Sequence, residues 1–173
     1  LDEEPLLNDE LIEKDITEVE LLRASEHQHL FTKPNNLTDA QKNALTTIET
    51  STKSSRFDPI VLYGVTGSGK TEVYINAIQK VVASGKSALV IVPEIALTPQ
   101  LLDQFKSRLE MPIGVLHSQV GESLRWATWQ AILNNSVKVV IGARSAVFAP
   151  IENLGLLIVD EEHDHSFKQC EGF

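Results

Sequence analysis

At 173 residues, with 42% hydrophobic and 23% charged side chains, the chain has the size and composition of about one soluble globular domain. No stretch approaches the roughly 18 apolar residues of a membrane span, and the acidic start Leu1-Asp2-Glu3-Glu4 is the opposite of a secretory signal. A lone cysteine, Cys170, excludes an internal disulfide and any zinc cluster of paired thiolates, so a cytoplasmic, membrane-free protein is expected.

The formal net charge of −9 argues at first against a nucleic-acid binder, but it is unevenly placed. Residues 1–36 hold ten acids and three bases, a net of −7; the remaining 137 residues hold fourteen and twelve, a net of −2. The acidic segment 1–36 has isolated apolar pairs (Leu6-Leu7, Leu11-Ile12, Leu21-Leu22) that suit one or two short amphipathic helices. It reads as a linker or the tail of a preceding domain, or else as an acidic partner-binding arm. The turn-rich Lys33-Pro34-Asn35-Asn36 marks the boundary to a second unit, 37–173.

From residue 37 the pattern alternates helices and apolar strands. Thr38 and Gln41 have capping-box spacing, which predicts a helix to about Thr50. Pro59–Tyr63 predicts a short buried strand, and Lys70–Ser84 a helix closed by Gly85. Ala88–Val92 is a second buried strand, continuous in hydrophobicity as central parallel strands are. Thr98 and Pro99 read as N-cap and first residue of a helix to Leu109. Strands at 113–116, 137–141 and 156–159 follow, with a helix over 122–133 whose Trp126 and Trp129 are expected to be core or helix-packing residues. Repeated strand-helix-strand units predict an α/β fold: a mainly parallel sheet with helices on both faces.

Two segments carry phosphate chemistry. Gly64-Val65-Thr66-Gly67-Ser68-Gly69-Lys70-Thr71 matches G-x-x-x-x-G-K-[ST] between a predicted strand and a predicted helix. Its glycines permit positive φ and close backbone approach, so loop amides can surround a phosphate at the positive end of the helix. Lys70 supplies a charge to the β- and γ-phosphates, and the Thr71 hydroxyl is the expected Mg²⁺ ligand. The second segment, Leu156–Val159 leading into Asp160-Glu161-Glu162-His163, places carboxylates at the carboxyl end of a strand, where open parallel sheets gather ligands. Asp160 suits Mg²⁺ through water, and Glu161 suits orienting or deprotonating an attacking water. His163 is a candidate relay. Two further segments, Pro93–Gln100 and Gly142–Pro150, also follow strands and could grip a phosphate backbone with amides, hydroxyls and one arginine.

The ordered set L-T-x-x-Q, G-V-T-G-S-G-K-T-E-V-Y, V-P-E-I-A-L-T-P-Q, G-x-R-S-A-V-F-A-P, V-D-E-E-H and D-x-S-F-K-Q resembles the superfamily 2 DNA helicases over about residues 37–173. It is most similar to their replication-restart branch; branch-migration helicases of the RecG type share the layout but usually carry a D-E-Q-H box. The resemblance implies a RecA-like first lobe of an ATP-driven 3′ to 5′ DNA translocase that works with replication-restart and primosome proteins at stalled forks. On matching positions it implies that Gln41 reads adenine, that Gly64, Thr66, Gly67, Ser68, Gly69, Lys70 and Thr71 hold the nucleotide, and that Asp160 and Glu161 support hydrolysis. Thr98, Gly142, Arg144 and Ser145 would touch the DNA backbone, His163 would couple nucleotide to DNA, and Phe167 would stack on a base. Plainer roles stand beside these: helix capping for Gln41, an ion pair for Arg144, a hydrogen-bonded strand end for His163, and packing for Phe167.

A complete motor of this class closes ATP between two lobes, the second of which supplies an arginine worth 10³–10⁵ in rate in other nucleotidases. The chain ends ten residues past His163, so a truncated lobe is expected, one that binds ATP weakly and turns it over negligibly. The zinc-binding cysteines and amino-terminal DNA-binding domains of the resembling family are expected elsewhere in a longer protein. Two other classes fit a phosphate loop, a non-catalytic helicase-like binding module and a small-molecule phosphotransferase, though lid arginines and an acceptor pocket are not apparent for the latter.

Overall fold

The computed structural model describes residues 36–54 and 56–167; the acidic segment and its expected short helices lie outside them, apart from Asn36. Four helices and four strands follow in the order α1 (Asp39–Thr52), α2 (Lys70–Ala83), β1 (Ser87–Ile91), α3 (Pro99–Arg108), β2 (Ile113–Leu116), α4 (Glu122–Leu133), β3 (Val139–Gly142) and β4 (Leu154–Val159). Short 3₁₀ turns sit at Glu94–Ala96, Arg144–Phe148 and His165–Phe167. The strands form one parallel sheet in the order β2-β3-β1-β4.

The helix ends follow the local chemistry of the sequence. Thr38 caps α1 by accepting from the Gln41 amide, while Gln41 Oε1 accepts from the Thr38 amide at 2.9 Å, a complete capping box. Thr98 caps α3 through the Leu101 amide at 3.2 Å, with Pro99 at the first helical position, where its missing N–H costs nothing.

Both faces of the sheet are covered, because alternate residues of the buried strands feed two cores. On one face Ala88, Val90, Val139, Ile141 and Ile158 pack with Tyr74, Ile75 and Ile78 of α2, with Phe105 of α3 and with its C-cap Leu109. On the other, Leu89, Ile91 and Val140 pack with Ala131 and Ile132 of α4 and with Ala146. Each fully buried Ile or Leu removes enough apolar surface from water for about 1.5–3 kcal/mol.

Two expectations are corrected. Pro59–Tyr63 is extended but joins no strand ladder, and Val61 and Tyr63 are 88% and 94% exposed. Its apolar run needs a hydrogen-bonded neighbour to become a strand, and among the described residues β4 pairs only with β1. Trp126 is 58% exposed and Trp129 half-buried, because α4 turns its small residues inward: Ala127, Thr128, Ala131 and Ile132 are the buried ones.

The register decides where the functional segments meet. Ile91 of β1 lies opposite both Gly142 of β3 and Val159 of β4, and Gly142 lies opposite Leu116 of β2. All four strands therefore end along one edge. Segments 92–98, 117–121, 143–150 and 160–167 leave the sheet there.

Candidate nucleotide site and strand-end surface

The phosphate loop enters α2 through Gly67 and Gly69, whose φ values of 78° and 80° lie in the left-handed region that disfavours other residues. Gly69 is the N-cap of α2 and offers no side chain to its first turn, so the first-turn amides remain available to an anion. Lys70 Nζ donates to the Gly64 carbonyl at 2.8 Å and the Ser68 amide to the Val65 carbonyl at 3.1 Å, so the loop curls around its own lysine.

Gln41 reaches this loop while still capping α1. Its Nε2 donates to the Ser68 carbonyl at 3.1 Å and, more weakly, to the Gly69 carbonyl at 3.5 Å. A Cβ at position 69 would stand 2.4 Å from that nitrogen. The capping role inferred from sequence is present, and the other end of the same amide contacts the phosphate loop.

Asp160 and Glu161 come to the same place. A cavity of about 520 Å³ is lined by the loop residues Val65–Lys70, by Thr71 and Glu72, by Gln104, Ser107 and Arg108 of α3, and by Asp160 and Glu161. Asp160 continues the β4 ladder by donating its amide to the Ile91 carbonyl at 2.9 Å. Glu161 has φ 51°, an unusual conformation for a residue with a side chain, of the kind that costs on the order of 1–3 kcal/mol and gathers at working sites. The Asp164 amide closes this turn on the Glu161 carbonyl at 2.8 Å, and His163 Nε2 lies 3.3 Å from Glu161 Oε2.

Tyr74 is a residue to which motif reading assigns no role. One turn after Lys70 on α2, it is buried and its hydroxyl donates to Asp160 Oδ1 at 3.2 Å. Burial, then the neighbouring Asp160 carboxylate, pushes its phenol well above the usual range, so it remains a donor. It is the last residue of the run G-V-T-G-S-G-K-T-E-V-Y, but motif reading gives it no role.

Thr71 and Asp160 suit a magnesium ion held mainly by phosphate and water, since that ion is commonly bound through one or two carboxylates. No group of three or more His, Cys, Asp or Glu side chains gathers as a metal site among the described residues.

The strand-end surface is built by a separate set. Arg144 and Ser145 are exposed on the turn that follows β3, anchored beneath by buried Ala146. Gly142 is buried, and a Cβ there would meet the Leu116 carbonyl oxygen at 2.4 Å, so close packing accounts for this glycine. Phe167 packs half-buried against the second core, whereas Phe148 is 78% exposed. Glu94 ties two strand-end segments together by accepting from the Ser118 amide at 3.3 Å and from the Ser118 hydroxyl. That hydroxyl above all holds the Glu94 carboxyl below the usual range. Ser118 closes an L-H-S run, Leu116-His117-Ser118, which matches the resembling family but to which sequence reading assigns no chemistry.

The sequence profile of the DEAD/DEAH box helicases matches residues 38–172. The chain belongs to the DEAD/DEAH box helicase family. It is 48% identical over 140 residues to the replication restart protein PriA of Bacillus subtilis and 46% identical over 144 residues to that of Chlamydia muridarum. These alignments take in 81% and 83% of the chain but only 17% and 19% of the relatives, so the chain spans less than a fifth of their length. In structure it resembles RecG bound to a three-way DNA junction, with a TM-score of 0.67 and 26% identity over 90% of the chain and 24% of RecG. The fold is the RecA-like helicase lobe expected from the motifs. No helix among the described residues is long and apolar enough to cross a membrane.

Proposed function

We propose that this lobe is the nucleotide-binding half-site of an ATP-dependent 3′ to 5′ DNA helicase that restarts replication forks. The observation that carries the reading is the meeting of Lys70, Thr71, Asp160 and Glu161 on one cavity, in a chain whose relatives are replication restart proteins. Magnesium-bound ATP supplies a phosphoanhydride whose cleavage energy a motor can use. The chain's own residues bind and orient it. Lys70 exchanges the Gly64 carbonyl for phosphate oxygens, the first-turn amides of α2 surround the phosphates, and Gln41 braces the loop through the Ser68 carbonyl. Thr71 and Asp160 would hold the metal, with Tyr74 fixing the carboxylate, and Glu161 would take a proton from the attacking water.

On the strand-end edge Thr98, Arg144 and Ser145 offer a hydroxyl, a cation and a second hydroxyl to a DNA backbone, together with Gly142, and His163, 3.3 Å from Glu161, couples nucleotide to DNA. A lobe with a net charge near zero over 37–173 binds DNA weakly by itself, and the rest of a longer cytoplasmic protein supplies the second lobe, the zinc site and the contacts to primosome proteins. The acid pair Asp160-Glu161 followed by Glu162-His163 favours this reading over a RecG-type branch-migration enzyme, which the structural likeness keeps as the alternative.

The test is Lys70→Ala in the full-length protein. Loss of DNA-stimulated ATP hydrolysis and of fork unwinding, with an unchanged melting temperature, is expected; unwinding at the wild-type rate would overturn the assignment. The 173-residue chain alone is expected to hydrolyse ATP negligibly, and robust DNA-stimulated turnover by it would show that its half-site is complete.

A further inference from the structure

The cavity wall opposite the phosphate loop belongs to α3, which contributes Gln104, Ser107 and Arg108. Arg108 makes a two-pronged ion pair with Glu72 of α2: Nη1 to Oε1 at 2.7 Å and Nη2 to Oε2 at 2.9 Å. Their side chains are only 10% and 21% exposed. The Arg108 carbonyl also accepts from Gln79 Nε2 at 2.9 Å, so both the head and the backbone of this residue are held by α2.

A pair this sheltered is a poor way to gain stability, because desolvation of both ions offsets much of their attraction and apolar side chains would serve as well. What the fork-to-fork geometry does supply is fixed orientation. Glu72 follows Thr71 directly in the first turn of α2, where the phosphates and magnesium are expected. The other end of α3 is capped by Thr98, on the strand-end edge. Ten helical residues separate the two, roughly 15 Å of rigid rod, anchored in the core by Phe105.

We infer that the Glu72–Arg108 pair is a positioning element that fixes α3 to the nucleotide-binding turn, so that DNA held at the Thr98 end of α3 acts on ATP turnover. The inference rests on the proposed reading of the strand-end edge as the DNA side. Neither residue touches the reacting atoms; both act through the placement of α2 and α3. Any movement of the first turn of α2 is delivered to the far end of α3 through two parallel hydrogen bonds, and a single-point contact would transmit it less faithfully.

The experiment measures ATP hydrolysis by the full-length protein with and without a forked oligonucleotide duplex bearing a single-stranded arm. Arg108→Ala is expected to lower the ratio of DNA-stimulated to DNA-free rate at least fivefold. Arg108→Lys, which keeps the charge but not the fork, is expected to lower it comparably. The double exchange Glu72→Arg with Arg108→Glu is expected to restore at least half of the ratio. If Arg108→Ala is poorly soluble, Arg108→Lys and the double exchange decide the matter alone. A wild-type ratio in Arg108→Lys, an equal fall of both rates, or a loss of melting temperature with the ratio intact would overturn the inference. A wild-type protein without any DNA stimulation would instead overturn the helicase reading and leave the pair a structural one.

Discussion

Gln41 performs two tasks with one amide, and Gln41→Glu separates them. Its oxygen completes the capping box of α1, and its nitrogen donates to the Ser68 carbonyl. Glutamate retains the oxygen and is itself a standard capping-box residue, with a charge favoured at a helix start. It loses the donor and sets a carboxylate against two loop carbonyls that lie 3.1 and 3.5 Å from the present nitrogen. The longer contact is at the limit of a hydrogen bond and counts for little. One exposed hydrogen bond is worth about 0.5–1.5 kcal/mol; the water-screened repulsion that replaces it brings the total against this loop arrangement to about 1–2 kcal/mol, or roughly 5–30-fold in nucleotide affinity. Fluorescent ADP and GDP analogues measure this while thermal unfolding follows the cap. Gln41→Glu is expected to bind both nucleotides more weakly by the same factor, with a near wild-type melting temperature. Gln41→Ala is expected to lose binding and also melt lower, by about 0.5–1 kcal/mol of capping. A larger loss for ADP than for GDP would show that the side chain reads adenine directly. Wild-type ADP affinity in Gln41→Glu would refute the loop contact.

Tyr74→Phe removes a donor of about 1 kcal/mol from Asp160, so the free Mg²⁺ needed for half-maximal ATP hydrolysis by the full-length protein is expected to rise about fivefold; an unchanged requirement would show that the hydroxyl does not orient the carboxylate. The same phenol makes stability fall at alkaline pH. Below its ordinary value of about 10 it is protonated whether folded or unfolded; above that pH the unfolded chain releases the proton while burial and Asp160 keep it on the folded one. Melting between pH 9 and 11 should therefore fall more steeply for wild type than for Tyr74→Phe, and parallel curves would contradict the burial. Gly142→Ala forces a methyl to within 2.4 Å of the Leu116 carbonyl oxygen and 2.5 Å of Ala146 Cβ. A cost of about 3 kcal/mol corresponds to a melting temperature lower by roughly 6–12 °C, and a change under about 1 °C would refute the close approach. Phe167→Ala is expected to cost about 1–2 kcal/mol as a half-buried residue on the second core. Phe148→Ala should leave stability unchanged, and the reverse order would mean that the two aromatics are misplaced.

These predictions mark where sequence reading succeeds and where it stops. The phosphate loop was legible because its chemistry is carried by eight contiguous residues, and the capping box of α1 and the N-cap of α3 because their partners are three residues apart. The four parallel strands were legible from continuous apolar runs, as sheets buried on both faces require. Pro59–Tyr63 has the same kind of run, but hydrophobicity specifies burial only where a ladder partner is at hand, and pairing is a tertiary fact. Trp126 and Trp129 show the parallel limit for helices: a spacing of three puts them on one face without saying which face looks inward, and the small residues of α4 took that side. The positioning residues were invisible for the same reason. Tyr74 and Asp160 are 86 positions apart, and Glu72 and Arg108 are 36 apart. Each of those four residue types is ordinary on a helix or at a strand end. What makes them functional is the common edge on which the strands finish, which places a helix start, a helix end and a strand end around a single cavity. Reactive groups can therefore be found by motif, while the groups that aim them have to be found by fold.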